Sequence, residues 1–198
     1  IIMKSDIVLA GVGGQGILTI ATILGGAALA DNLFLKQAEV HGMSQRGGDV
    51  QSNLRLSSDP IFSDLIPLGG ADLIVSLEPM EALRYVSALS KDGWVVTSSV
   101  PFVNIDNYPD VEKINEHLAA LDHVVVLDVE AIAKEAGAPA QASNMVLLGA
   151  ASPMLGLEFE AVKDAVRKIF SRKGEAVVNT NIAALEAGYR YSQEKINK

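Results

Sequence analysis

Two stretches of this sequence gather residue types that bind anionic groups or move protons. The first is Gly11-Val12-Gly13-Gly14-Gln15-Gly16. Gly11, Gly13 and Gly16 match G-x-G-x-x-G, with Gly14 as an additional glycine. Residues without a Cβ permit a tight turn and let the next helix start close to a sheet. The free N–H groups at such a helix start attract an anion, typically a phosphate. Ile17 stands where a Walker loop needs lysine, which excludes that motif. A dinucleotide site also needs an acid near the end of the second strand, for the ribose. Asp31 comes too early for this, whereas Glu39 stands at about the right distance. The alternative is that the glycines serve only the packing of the turn.

The second stretch is Glu39-Val40-His41-Gly42-Met43-Ser44-Gln45-Arg46-Gly47-Gly48. It is nearly devoid of apolar residues and reads as a shaped surface loop at a strand end, where such folds place binding surfaces. Arg46 is suited to clamp a carboxylate or phosphate through two parallel hydrogen bonds, or to pair with an acid such as Glu39. His41 has the chemistry of an acid or base, or of a hydrogen-bonded structural residue. The glycines around Ser44 are spaced one residue too far apart for a nucleophile elbow. His41, His117 and His123 do not form a metal-ligand spacing.

The elements that hold these stretches follow from hydrophobic patterning. A buried strand is expected over residues 6–10, and a helix apolar on nearly every face over 17–30. A second strand is expected over 33–40. Residues 49–57 alternate, with Val50, Ser52, Leu54 and Leu56 on one side and Gln51, Asn53, Arg55 and Ser57 on the other. That pattern predicts a half-exposed strand in an antiparallel or edge position. A buried strand over 71–77 leads into a helix opened by Glu78-Pro79, with Met80, Leu83 and Val86 as its inner face. Asp92-Gly93 reads as a turn and 94–99 as a further strand. A loop (101–109), a helix (111–121), a strand (123–127) and a helix (129–136) closed by Gly137 follow. Three more helices are expected over 143–155, 159–170 and 176–193. Alternating strands and helices predict an α/β, Rossmann-like three-layer domain: a mostly parallel sheet, helices on both faces and a helical C-terminal part.

The chain has 198 residues, 49% of them hydrophobic. That suits a single domain over 1–198 with one sizeable core. With no cysteine, it offers neither disulfides nor thiolates for iron–sulfur clusters or zinc. A net charge of -8 disfavours nucleic-acid binding. The basic cluster Arg167, Lys168, Arg172 and Lys173 is expected to complement a helix C-terminus. No run of 18 apolar residues and no signal-peptide pattern is visible, so a cytoplasmic protein without membrane attachment is expected. Met3 is a candidate start.

The combination of Gly11-Val-Gly-Gly-Gln-Gly-Ile-Leu18 with Glu39-Val-His-Gly-Met-Ser-Gln-Arg-Gly-Gly48 resembles the gamma-type subunit of 2-oxoacid:ferredoxin oxidoreductases. Within that family it looks most like the small (beta) subunit of the indolepyruvate type, and the Val-His-Gly-Met-Ser-Gln-Arg-Gly-Gly run is the specific part. Asn144-Met145-Val-Leu-Leu-Gly149 and Asn181-Ile-Ala-Ala-Leu-Glu-Ala-Gly188 also look like family signatures, so the resemblance spans nearly the whole chain. It implies an enzyme that oxidatively decarboxylates a 2-oxoacid to acyl-CoA, carbon dioxide and reduced ferredoxin, with coenzyme A as co-substrate. Thiamine diphosphate, magnesium and [4Fe-4S] clusters are then expected on a large partner subunit, with no cofactor or metal on this chain, which is inactive alone. The implied cofactor-binding or interface residues are Gly11, Gly13, Gly14, Gln15, Gly16, Glu39, His41, Gln45, Arg46, Gly47, Gly48 and Asn144. Two other readings stand beside this one. One is a stand-alone NAD(P)-dependent oxidoreductase that uses Glu39 and His41. The other is a nucleotide-binding module with an anion held at residues 13–16.

Overall fold

The computed structural model describes residues 3–41, 47–103 and 105–197, with the backbone alone at His41. Its centre is a six-stranded sheet in the order β2-β3-β1-β4-β5-β6. The strands are β1 (Lys4–Val12), β2 (Phe34–His41), β3 (Asp49–Ser57), β4 (Ala71–Ser76), β5 (Leu89–Ser98) and β6 (Val124–Leu127). β1, β4, β5 and β6 run parallel, and β3 runs antiparallel to both β1 and β2. β3 therefore lies inside the sheet, and β2 takes the edge. This explains why Asn53 and Ser57, expected on an open face, are buried together with Ser52 and Leu54. Asp92-Gly93 is not a turn that precedes the strand. β5 already starts at Leu89, and the register with β4 slips between Ala71 and Leu73 to absorb the extra residues.

Side chains that alternate along each strand feed two cores. Ile7 and Leu9 of β1 join the larger one, built with α1 (Ile17–Ala30), α4 (Val129–Glu135), α5 (Ser143–Ala151), α6 (Phe159–Phe170) and α7 (Glu175–Ile196). Val8 joins the smaller one, with α2 (Pro79–Arg84) and α3 (Val111–Ala119). The expected boundaries of α1, α6 and β3 coincide with the observed ones. In α2 the expected inner residues Met80 and Leu83 only border the core, while Glu81 and Ala82 are buried.

Local chemistry explains where the helices stop and start. Asn32, at φ 57°, ends α1; its N–H donates to Leu29 and the Leu33 N–H to Ala28. Asp110 and Asp128 cap α3 and α4 by accepting the backbone N–H of Glu112 and Ala131. α5 is apolar on every side and is buried from Asn144 to Ala151, between the sheet and α7.

Candidate functional site

The chain leaves β1 to build the β2–β3 hairpin on one side, then returns to β4 on the other. The turn after β1 thus lies where strand connections diverge, outside the carboxyl ends of the parallel strands, which is where open α/β sheets place ligands. A cleft of about 510 Å³ opens there. Its walls come from Gly14, Gln15, Gly16 and Thr19 after β1, Leu77 after β4, Ser98 at the end of β5 with Val100, Pro101 and Phe102 beyond it, and the start of α4. The start of α5, with Ser143 and Asn144, and Lys173 and Asn181 of the C-terminal helices close the far side.

Within the turn each residue has a physical task. Gly16 is the N-cap of α1 at φ 87°, a left-handed conformation that L side chains avoid. A Cβ there would also lie 2.6 Å from the Asn144 amide nitrogen, which reaches the Gly16 carbonyl at 3.4 Å. Gln15 bridges two strand ends. Its Oε1 accepts from the Val12 N–H at 2.7 Å, and its Nε2 donates to the Leu77 carbonyl at 3.2 Å. Gln15→Ala removes both bonds and leaves half-buried backbone groups to find water. We expect a loss of about 1–2 kcal/mol in urea unfolding and faster hydrogen exchange at Val12. An unchanged Val12 exchange rate would show that the bridge does not hold the turn.

The turn is also joined to the second stretch. β1 and β3 stay in register up to Val12 and Asp49. The backbone pairing then continues beyond the strands: the Gly13 N–H donates to the Gly48 carbonyl at 2.8 Å, and the Gly47 N–H to the Gly13 carbonyl at 3.5 Å. Gly11, Gly13, Gly14, Gln15, Gly16, Gly47, Gly48 and Asn144 therefore cluster at one end of the sheet. Gln45 and Arg46 lie outside the described residues. Glu39 and His41 stand two strands away from the turn, His41 level with Gly11 and Glu39 level with Leu9. They sit on β2, opposite Ser52 and Val50, with β3 between them and β1. Glu39 accepts from Gln37 Nε2 at 3.3 Å. In a dinucleotide fold the second strand lies directly beside the first and brings its acid to the ribose. Here β3 occupies that place, so the stand-alone dinucleotide reading loses its ribose partner.

Two features escaped the patterns in the sequence. Lys173, expected only to complement a helix end, reaches the cleft wall, and its ammonium lies 5.4 Å above the Phe170 ring. Glu78 is fully buried; it caps α2 by accepting the Glu81 N–H at 2.8 Å and also accepts a short hydrogen bond from Tyr108. Burial first, and then this bond to Glu78, push the Tyr108 phenol well above its usual range, so it stays protonated and donating at neutral pH. The pair pins the segment after β5, whose Pro101 and Phe102 line the cleft. No group of three or more metal-binding side chains occurs among the described residues.

The family model for pyruvate ferredoxin/flavodoxin oxidoreductase matches residues 6–191. The chain belongs to this family. It is 38% identical over 202 residues to indolepyruvate oxidoreductase subunit IorB of Pyrococcus horikoshii, covering 97% of this chain and 98% of that one. It is 28% identical to 2-oxoglutarate synthase subunit KorC of Methanocaldococcus jannaschii, over 97% of this chain and 96% of the relative. Among solved structures, the gamma subunit of a keto/oxoacid ferredoxin oxidoreductase from Geobacter sulfurreducens superposes with a TM-score of 0.66. That match has 24% identity and covers 96% of this chain and 99% of that one. The 2-oxoglutarate:ferredoxin oxidoreductase of Magnetococcus marinus, solved with 2-oxoglutarate, coenzyme A and succinyl-CoA bound, superposes at TM-score 0.75 and 21% identity. There the match covers 96% of this chain but 31% of the other, so the same fold is one part of a longer polypeptide. These superpositions agree with the α/β architecture expected from the sequence. No described helix is long and apolar enough to cross a membrane.

Proposed function

We propose that this chain is the small, accessory subunit of an indolepyruvate-type 2-oxoacid:ferredoxin oxidoreductase. The observation that carries this reading is the 38% identity to an indolepyruvate oxidoreductase subunit along nearly the full length of both chains. In the overall reaction an aryl 2-oxoacid loses carbon dioxide, coenzyme A takes the acyl group, and two electrons pass to ferredoxin. Without a cysteine, this chain has no thiolates for an iron–sulfur cluster. Clusters, thiamine diphosphate and magnesium are assigned to the large subunit.

The role of this chain is to shape the assembly around the large subunit's active site. The glycine turn and the segment around Arg46-Gly47-Gly48 form the face presented to that subunit. Their direct backbone pairing supports a joint role, because movement of one must move the other. The helix N-terminus at Gly16 and the ammonium of Lys173 on the cleft wall suit a phosphate, which makes the cleft a candidate support for coenzyme A.

The test is co-expression with the large subunit, followed by dye reduction with indolepyruvate and coenzyme A. Turnover that requires both chains supports the reading. A chain that forms no complex, or that binds NADH tightly alone, overturns it. Arg46→Ala is expected to weaken assembly or to lower turnover by about tenfold or more, as for loss of a bidentate charged contact. Unchanged assembly and kinetics would remove Arg46 from the interface.

A further inference from the structure

The segment 58–70, which joins β3 to β4, carries the two most exposed large apolar side chains among the described residues, Phe62 and Leu68, and the exposed Leu65 beside them. Phe62 is 93% exposed, Leu68 80% and Leu65 60%. A floppy loop with such residues would be unremarkable, but this one is held firmly. The Arg55 guanidinium donates to the carbonyls of Ser63 and Leu65, both at 3.1 Å. Its other nitrogens grip the buried Asp6 carboxylate at 2.7 and 3.0 Å. The Ser58 N–H donates to the Met3 carbonyl, and the Gly69 N–H to the Ser87 carbonyl. Leu68 stands at the apex of a turn in which the Gly70 N–H bonds the Pro67 carbonyl, and Ile66 folds inward against the smaller core.

A backbone organised in this way presents apolar side chains to water without the ordering cost that a flexible loop would pay on binding. Exposed aromatic and leucine anchors on a rigid frame are the usual material of interface hot spots. The loop sits at the amino end of β1, since Ser57 pairs with Lys4. The nine residues of β1 separate it from the glycine turn by roughly 30 Å. It therefore belongs to a different surface from the cleft.

Charge selects the occupant. Residues 58–70 include Asp59 and Asp64 and no lysine, arginine or histidine. A second copy docked about a two-fold axis on this loop would set aspartates against aspartates. An anionic membrane surface would repel it. The complementary partner is a polypeptide with an apolar socket rimmed by cations.

We propose that loop 58–70 is a docking element for the large subunit, inserting Phe62 and Leu68 into such a socket on a surface remote from the glycine turn. This inference rests on the subunit reading above. The experiment titrates purified large subunit against wild-type chain and a Phe62→Ser/Leu68→Ser variant by biolayer interferometry, with a salt series on Asp59→Asn/Asp64→Asn. The expected result is a rise in Kd of roughly 30-fold or more for the apolar variant, with an unchanged unfolding midpoint. The aspartate variant should associate more slowly and with a flatter salt dependence. If wild type and the apolar variant bind equally, the loop proposal fails and the subunit reading stands. If the wild-type chain binds no large subunit, both fall. A variant that loses only self-association in sedimentation, or only binding to phosphatidylglycerol vesicles, assigns the loop to those occupants and overturns the proposal.

Discussion

Gly149→Ala is expected to cost upwards of about 3 kcal/mol, a large share of the stability of a domain this size. The reason lies in how closely α5 and α7 approach. A Cβ at Gly149 would stand 1.9 Å from the Leu185 carbonyl oxygen, and one at Gly188 would stand 1.9 Å from the Val146 carbonyl oxygen. Both obstacles are backbone atoms, so no rotamer change relieves them. The two helices would have to separate by more than 1 Å, loosening contacts around Leu147, Leu148 and Leu185 in the larger core. Urea unfolding of Gly149→Ala and Gly188→Ala measures this directly. The two substitutions press on two contacts of the same α5–α7 interface, and one separation of the helices relieves both, so the double variant should lose less than the sum of the singles. A wild-type midpoint for either single variant would mean that the helices are not packed this closely. The cleft should suffer too, because Asn144 on α5 and Asn181 on α7 both line it.

The Asp6→Asn variant is expected to lose about 3 kcal/mol at neutral pH and to change the acid limb of the stability profile. Asp6 is 2% exposed at the start of β1 and receives Arg55 at 2.7 Å and Lys4 at 2.8 Å. Burial alone would raise its carboxyl. The hydrogen bonds from Arg55 and Lys4, helped by their charges, outweigh burial and hold it below its ordinary value of 3.8. A carboxylate lowered in the folded state adds stability that is fully present above its unfolded pKa. That stability is lost as pH falls through the ordinary value and then through the lowered one. Wild type should therefore lose stability steeply below about pH 4, and Asp6→Asn should be flatter there. Parallel profiles for the two proteins would exclude Asp6 as a source of acid sensitivity. Because Arg55 also holds the Ser63 and Leu65 carbonyls, the variant should expose the backbone of loop 58–70 to faster hydrogen exchange.

The sequence by itself determined most of the segments that become strands and helices, though not that β5 runs through Asp92-Gly93. The apolar run before Gly11, the all-apolar stretch 17–30 and the stripe through Val162, Ala165 and Val166 are local periodicities, and local periodicity survives without knowledge of neighbours. It also determined that a tight glycine turn follows the first strand, and the lack of cysteine excludes thiolate-held clusters from this chain. Only the tertiary structure decided strand order. Every strand edge offers the same N–H and C=O groups, so nothing in 49–57 announces that β3 pairs on both sides and displaces β2 from β1. That choice joined Gly13 to Gly47 and Gly48 and carried Glu39 away from the turn. Nor did the acids Asp6 and Glu78 differ in the sequence from solvated ones, because burial of a charge depends on partners that are distant in the chain. Arg55 comes from 49 residues away and Tyr108 from 30. Such pairings form only once the fold has removed water from between them.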